Sequence, residues 1–479
     1  MHSIYAGKKH TVRAFRLPRV GRIAGDRTQE IQIQAIEKDG LRLSVWEMAG
    51  RPEFHAFQDF MFPNLGKYSS HQAPPMFMFV WSSITHRKDR RDGMQRKQEE
   101  EFEIGFRYWL KFLASKSRQL NIAPKVIVVF MRTDRMDLCS SDLSFTINSL
   151  RSEFKEVIHI VDPTFAVDAA RKESVKTLAE FVFGIAKQML EGIEVYKICT
   201  QVSSHLSNHV KTSNQRIITW SQFSEICRVQ LSVPDDEAKL KAIASSLIES
   251  GIILYVNITA HIVLDPNWFC TQIMRRLIHV PERKASRIER FYTSRGFLEA
   301  ELESLTKSQV KGSILVDLME ALDLCFKVPN NLDNATRNGD CLFVPRILTD
   351  PKELDLGMEQ LQWRSSSGSS HDNASSYIGR RLACENRDLN FLTPSLFRRI
   401  QVLFNEAFQV VNADMKLGKD FISICVPMPT MEIIVVFCQT KADNVIDVLV
   451  RAETNNQEDM ARMIDYVEDH IIETVIKVY

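Results

Sequence analysis

The chain has 479 residues, 44% hydrophobic and 25% charged, enough for roughly three globular domains. Sixty-one basic side chains against sixty acidic ones leave +1 at pH 7, which excludes a global field that would gather nucleic acid or anionic lipid. No apolar run reaches the ~20 residues needed to span a bilayer. The nine cysteines form no C-x-x-C pair, a usage that fits reduced thiols in the cytosol.

The first residues, "MHSIYAGKKHTVRAFRLPRVGR", are basic and lack the apolar core of a secretory signal; their composition keeps a transit peptide as a minor reading. In "EIQIQAIEKDGLRLSVWEM" apolar residues alternate on both sides of Asp39-Gly40, which predicts a β-hairpin. Residues 76–83, 125–134 and 156–169 read as buried strands. Between them, Phe102, Phe106, Trp109, Leu110 and Leu113 fall on one helical face over 97–118, and Val175, Leu178, Phe181, Val182 and Ile185 do so over 172–191. Buried strands alternating with amphipathic helices imply an α/β domain over 1–192, a mostly parallel sheet with helices on both faces.

Beyond residue 192 the pattern becomes helical: 194–210, "TWSQFSEICRVQL" and "DDEAKLKAIASSLIESG". "IILYVNITAHIVLDPNWF" then reads as a two-stranded wing running into a helix, so a winged-helix-like unit is expected. A second round follows in "SILVDLMEALDLCFKV" and "CLFVPRIL", giving a helical, winged-helix-like part over 193–350. A Ser/Asn/Gly-rich loop or linker occupies 351–376. Residues 377–479 read as an α+β module: a strand at 377–383, a helix near Pro394, three strands at 420–427, 431–438 and 444–451, and a final helix carrying Met460, Met463, Ile464, Val467 and Ile471.

The chemistry-bearing residues gather at strand ends. Glu47 and Gly50 close the strand 41–48 in the pattern E-x-x-G. In nucleotide switches the corresponding D-x-x-G puts a carboxylate near Mg²⁺ and a glycine amide near the γ-phosphate. On turn chemistry alone, a strand running into a surface turn is the simpler reading. Roughly 80 residues on, the strand from 125 ends in Met131-Arg132-Thr133-Asp134, where a guanine-specificity motif [NT]-K-x-D is expected. Asp134 is placed to accept from a guanine edge, and Arg132 stands where Lys would lie along the base. Asp168-Ala169 follow the next strand, where a short motif completes a base pocket, and Thr28 precedes the first strand of the hairpin as a Mg²⁺-binding switch threonine would. A G-x-x-x-x-G-K-[ST] phosphate cradle is absent from the sequence.

These residues resemble a known family. "LRLSVWEMAGRPEFHAFQDFMFP", "FRYWLKFL", "VVFMRTD" and "FAVDA" are similar to the Ras-like Roc GTPase domain of ROCO proteins. "HIVLDPNWFCTQIMRRLI", "LMEALDLCFKVP" and "LFVPRIL" resemble the COR region that follows Roc, and "GRRLACENRDLNFLTPSLFRRIQVLF" with "IDVLVRAE" resembles the end of COR in plant TORNADO-type members. The resemblance implies a Roc–COR signalling scaffold that is cytoplasmic, with peripheral membrane association as the wider reading, and that forms a homodimer through COR. It implies switch-II positions at Glu47, Gly50 and Arg51, and a GTP/GDP and Mg²⁺ site at Thr28, Glu47, Gly50, Arg132, Asp134, Asp168 and Ala169, with Thr28 and Glu47 toward the metal. With no phosphate cradle the switch is degenerate, and GTP hydrolysis by this chain alone is not expected. The leucine-rich repeats that precede Roc in the family have no counterpart here, and the plant-type resemblance implies developmental patterning.

Three alternatives come from other observations. One is a functional GTP-binding GTPase whose cradle is absent only from this sequence. Another is a winged-helix DNA-binding protein, for which Arg275, Arg276, Arg283, Lys284, Arg287, Arg290 and Arg295 would supply phosphate contacts. The last is a zinc site on His205 and His209, four residues apart on a helix.

Overall fold

The computed structural model describes residues 2–6, 31–48, 76–82, 84–86, 94–96, 99–117, 123–131, 140–168, 171–190, 197–234, 236–255, 260–274, 292–322, 325–328, 341–343, 376–386, 392, 396–397, 400–401, 404, 414–417, 420–427, 430–439, 444–452, 457–473 and 475. They fall into two compact units, one of Met1–Phe54 with Met61–Met274, the other of His55–Phe60 with Arg275–Tyr479.

The first unit opens with strand β1 (His2–Ala6), then the hairpin β2 (Ile31–Lys38) and β3 (Leu41–Met48). Asp39 and Gly40 take φ of +51° and +75°, the pair of positive values that a two-residue turn between twisted strands requires. Next come β4 (Met76–Ser82), the small ribbon of β5 (Ile84–His86) and β6 (Met94–Arg96), helix α1 (Glu99–Ser117), β7 (Lys125–Met131), α2 (Ser140–Phe154), β8 (His159–Ile160), β9 (Phe165–Val167) and α3 (Lys172–Leu190). The strand order is β2-β3-β1-β4-β7-β8, with β9 also on β7. β2 runs antiparallel to β3, and the other pairings in this sheet are parallel.

Helices cover both faces of this sheet. On one, Leu43, Val45, Met76, Met78, Ile127 and Val129 pack with Val175, Leu178 and Val182 of α3. On the other, Phe79 stacks on Phe106 of α1 at 4.6 Å, and Trp81 meets Phe102 edge-on at 5.5 Å. The parallel sheet between helices is as the sequence implied. The single strand expected over 156–169 is instead two short ones, β8 and β9, with Pro163 between them. Proline has no N–H to give to a ladder.

The same unit continues with α4 (Lys197–Ser213), β10 (Ile217–Thr219), α5 (Trp220–Glu225) running into a π-type turn, α6 (Glu237–Glu249), β11 (Leu254–Tyr255), β12 (His261–Val263), and α7 (Pro266–Trp268) with a π-type turn to Met274. The three strands form an antiparallel sheet in the order β10-β12-β11. Thr219 starts α5 with a capping box: its hydroxyl accepts from Gln222 N–H and the Gln222 side chain accepts from Thr219 N–H. Asp236 caps α6 through the amides of Ala238 and Lys239.

In the second unit β13 (Tyr292–Ser294), α8 (Arg295–Leu305), α9 (Gly312–Ala321), β14 (Phe326–Val328) and β15 (Cys341–Phe343) repeat the run strand, two helices, two strands. Their sheet order, β13-β15-β14, repeats that of β10-β12-β11. Then β16 (Ser376–Leu382), β17 (Asp414–Leu417), β18 (Phe421–Pro427), β19 (Thr430–Gln439) and β20 (Asn444–Ala452) form an antiparallel sheet, order β16-β20-β19-β18-β17, followed by α10 (Gln457–Tyr466) and a π-type turn to Ile472. One face of it, with Ile422, Ile424, Ile433, Val435, Ile446 and Val448, packs against Phe397, Ile400, Phe404, Val467 and Ile471.

Candidate functional site

In the seven-stranded sheet the parallel strands all end on one edge, and in open α/β sheets that edge is where ligands bind. Glu47 lies near it, on the same face of β3 as Leu43 and Val45. It pairs in register with Ala6 of β1, and through Ala6 and Met78 it is level with Ile127 of β7. Strands β4 and β7 run four residues further, to Ser82 and Met131, about 13 Å at the usual rise per residue. Glu47 is fully buried, at 0% exposure. This position is therefore interior structure, while the turn expected after the strand lies outside the described residues.

Asp168 follows β9, whose Val167 pairs with Met131. Its N–H donates to Ser174 Oγ at 3.0 Å, its carbonyl accepts from Arg171 N–H at 3.0 Å, and its carboxylate pairs with the Arg171 guanidinium at 3.1 Å. These contacts organise the entry to α3, where an anionic group also suits the helix dipole. Arg171 and Ser174 escaped sequence reasoning, although an acidic residue three before a base and six before a serine at a helix start is the signal for such a turn.

Glu47 and Asp168 both lie toward the C-terminal ends of the parallel strands, but β1, β4 and β7 stand between β3 and β9 and Asp168 lies further along the strand direction, so the sheet does not bring them together. Thr28, Gly50, Arg51, Arg132, Asp134 and Ala169 lie outside the described residues, as do six of the basic residues at 275–290. The seventh, Arg295, is engaged by Glu299, Asp317 and Glu320 within its own module. His209 Nε2 meets Gln215 Oε1 at 3.1 Å. Among the described residues no group of three or more His, Cys, Asp or Glu is placed to hold a metal ion. Of the two residues expected toward a metal, Thr28 lies outside the described residues and Glu47 is fully buried. No described helix is long and apolar enough to cross a membrane.

Comparison with known proteins agrees with this architecture. Residues 197–348 match the model of COR-A, the domain C-terminal of Roc. Over 431 residues, 83% of this chain, the sequence is 28% identical to Protein TORNADO 1 of Arabidopsis thaliana. The chain covers 29% of that protein's length. The COR-A match thus follows directly on a parallel α/β sheet, and most of the chain is similar to a TORNADO-type protein, which supports a ROCO-type, TORNADO-like reading.

Proposed function

We propose that this chain is a Roc–COR scaffold with a degenerate nucleotide switch. Residues 1–192 form a Ras-like Roc domain, 193–350 a winged-helix-like COR-A part, and 351–376 a connecting loop. Residues 377–479 form a COR-B-like α+β module that pairs with a second copy. The observation that carries the reading is the strand order β2-β3-β1-β4-β7-β8 with an antiparallel β2, followed at once by the COR-A match. This is the order of a nucleotide switch, on a chain whose sequence has no G-x-x-x-x-G-K-[ST]. The repeated strand–helix–helix–strand–strand run supports the winged-helix-like reading of COR-A.

The chain works by holding partners, and no step of the proposal passes through a nucleotide. Its setting is the cytoplasm, and developmental patterning is the role that its TORNADO-like character raises. Light scattering of the full chain tests the scaffold: a dimer whose mass falls to that of a monomer when 377–479 is removed is expected, and a monomer at every concentration overturns the pairing.

A further inference from the structure

The segment Asp265-Pro266-Asn267-Trp268 ends the wing of the COR-A match and opens α7. Asp265 caps that turn, accepting from Trp268 N–H at 2.9 Å, and its other oxygen pairs with the Arg216 guanidinium at 3.0 Å. Arg216 also lies over the Trp268 ring, 5.3 Å from its centroid. These contacts fix the residue between them, Asn267. Asn267 Oδ1 accepts a hydrogen bond from Ile33 N–H at 2.9 Å, across 234 residues of sequence.

Ile33 belongs to β2, the outermost strand of the parallel sheet. The N–H groups that face away from β3 are the ones an edge strand leaves to be satisfied from outside. Asn267 supplies that acceptor. The other strand of the hairpin is held from the same domain. Trp46, paired in register with Ile33, lies against Gly251 at the end of α6, and Arg42 donates to Ser203 Oγ of α4 at 3.3 Å.

We infer that the Asp265–Trp268 corner is a latch: Asn267 closes the outer edge of β2, and together with the Gly251–Trp46 contact it fixes the β2–β3 hairpin on the COR-A domain. This rests on the Roc–COR reading above, which it deepens by naming the element that holds still. In a working switch the hairpin joins the two segments that respond to ligand. Here it is fastened to the domain beside it, and moving it breaks the Asn267–Ile33 bond.

Hydrogen exchange of the full chain tests the latch. In Asn267→Ala the Ile33 amide exchanges at least ~10-fold faster, as a lost bond requires, while 125–131 at the centre of the sheet keeps its protection. Unchanged protection of Ile33 in that variant overturns the proposal. Should 125–131 loosen as well, Asn267→Asp decides, because it keeps an acceptor at the same place. Wild-type protection of Ile33 in that variant supports the latch, and its loss overturns it. This readout involves neither nucleotide nor dimer, so a failed latch and a failed scaffold reading are told apart.

Discussion

A β-carbon placed on Gly251 would lie 2.5 Å from Nε1 of Trp46, inside the indole ring system. Gly251 also ends α6. Its φ is +65°, its N–H donates to the Ile248 carbonyl at 2.8 Å, and Ile252 N–H reaches the Leu247 carbonyl at 2.9 Å. That pair of bonds is the Schellman closure of a helix, for which glycine is the usual residue. One residue thus ends a helix of the COR-A domain and admits the tryptophan of β3. Gly251→Ala therefore suffers both left-handed strain and overlap with the ring, and lowers the stability of the first unit by more than about 1 kcal/mol. Gly40→Ala provides the control: φ is +75° but nothing lies within 4 Å, so it carries the backbone strain alone. Urea unfolding followed by tryptophan fluorescence ranks Gly251→Ala as the more damaging change.

Gly312, at the start of α9, approaches α8 so closely that a β-carbon would stand 2.0 Å from the Glu299 carbonyl oxygen. Its N–H donates to Glu303 Oε2 at 3.1 Å. Gly312→Ala must push two helices apart, at a cost of at least about 1–3 kcal/mol. Gly296→Ala, within α8 and with nothing near, leaves stability unchanged or raises it by up to about 1 kcal/mol. Thermal unfolding of the two variants checks the contrast.

Arg381 and Asp447 face each other across β16 and β20, joined by two hydrogen bonds of 2.6 and 2.7 Å. The hydrogen bonds from Arg381 hold the Asp447 carboxyl below its ordinary value of 3.8. A depressed carboxylate stabilises the fold above its unfolded pKa, and that stabilisation is lost as pH falls through the folded one. The five-stranded module accordingly loses stability below about pH 4, and Arg381→Met makes this loss shallower. Urea midpoints between pH 3 and 6 measure the difference.

Burial pushes the Cys227 thiol up to about 11 and raises those of Cys199 and Cys325. At pH 8 all three are protonated and enclosed, and thiolates are the reactive form. Alkylation of the folded chain with iodoacetamide spares them, and alkylation in urea does not. Peptide mass spectrometry reads the result.

Long periodic elements were legible in the sequence because one face of each is buried. The hairpin, β4, β7, α1, α3, α6 and the strands β18 to β20 are close to where alternation or helical spacing placed them. Short ones were not. β1, β10, β13 and β17 have three to five residues each, too few to show a period, and they exist because longer neighbours supply their ladders. Helix α2 did carry a readable stripe, with Leu143, Ile147, Leu150 and Phe154 buried at spacings of three and four, and it was overlooked. At the site, Glu47 was placed at its strand end from pattern alone. Its complete burial depends on the strands at either side, which no local window contains. The Asn267 contact is equally hidden, because 234 residues separate it from Ile33.

Equilibrium binding of a fluorescent GTP analogue in the presence of Mg²⁺ tests the central claim most directly. A chain that keeps the switch sheet without a phosphate grip shows no saturable binding up to about 100 µM, a standard free energy weaker than about −5.5 kcal/mol. Micromolar affinity that Asp134→Ala abolishes would contradict it.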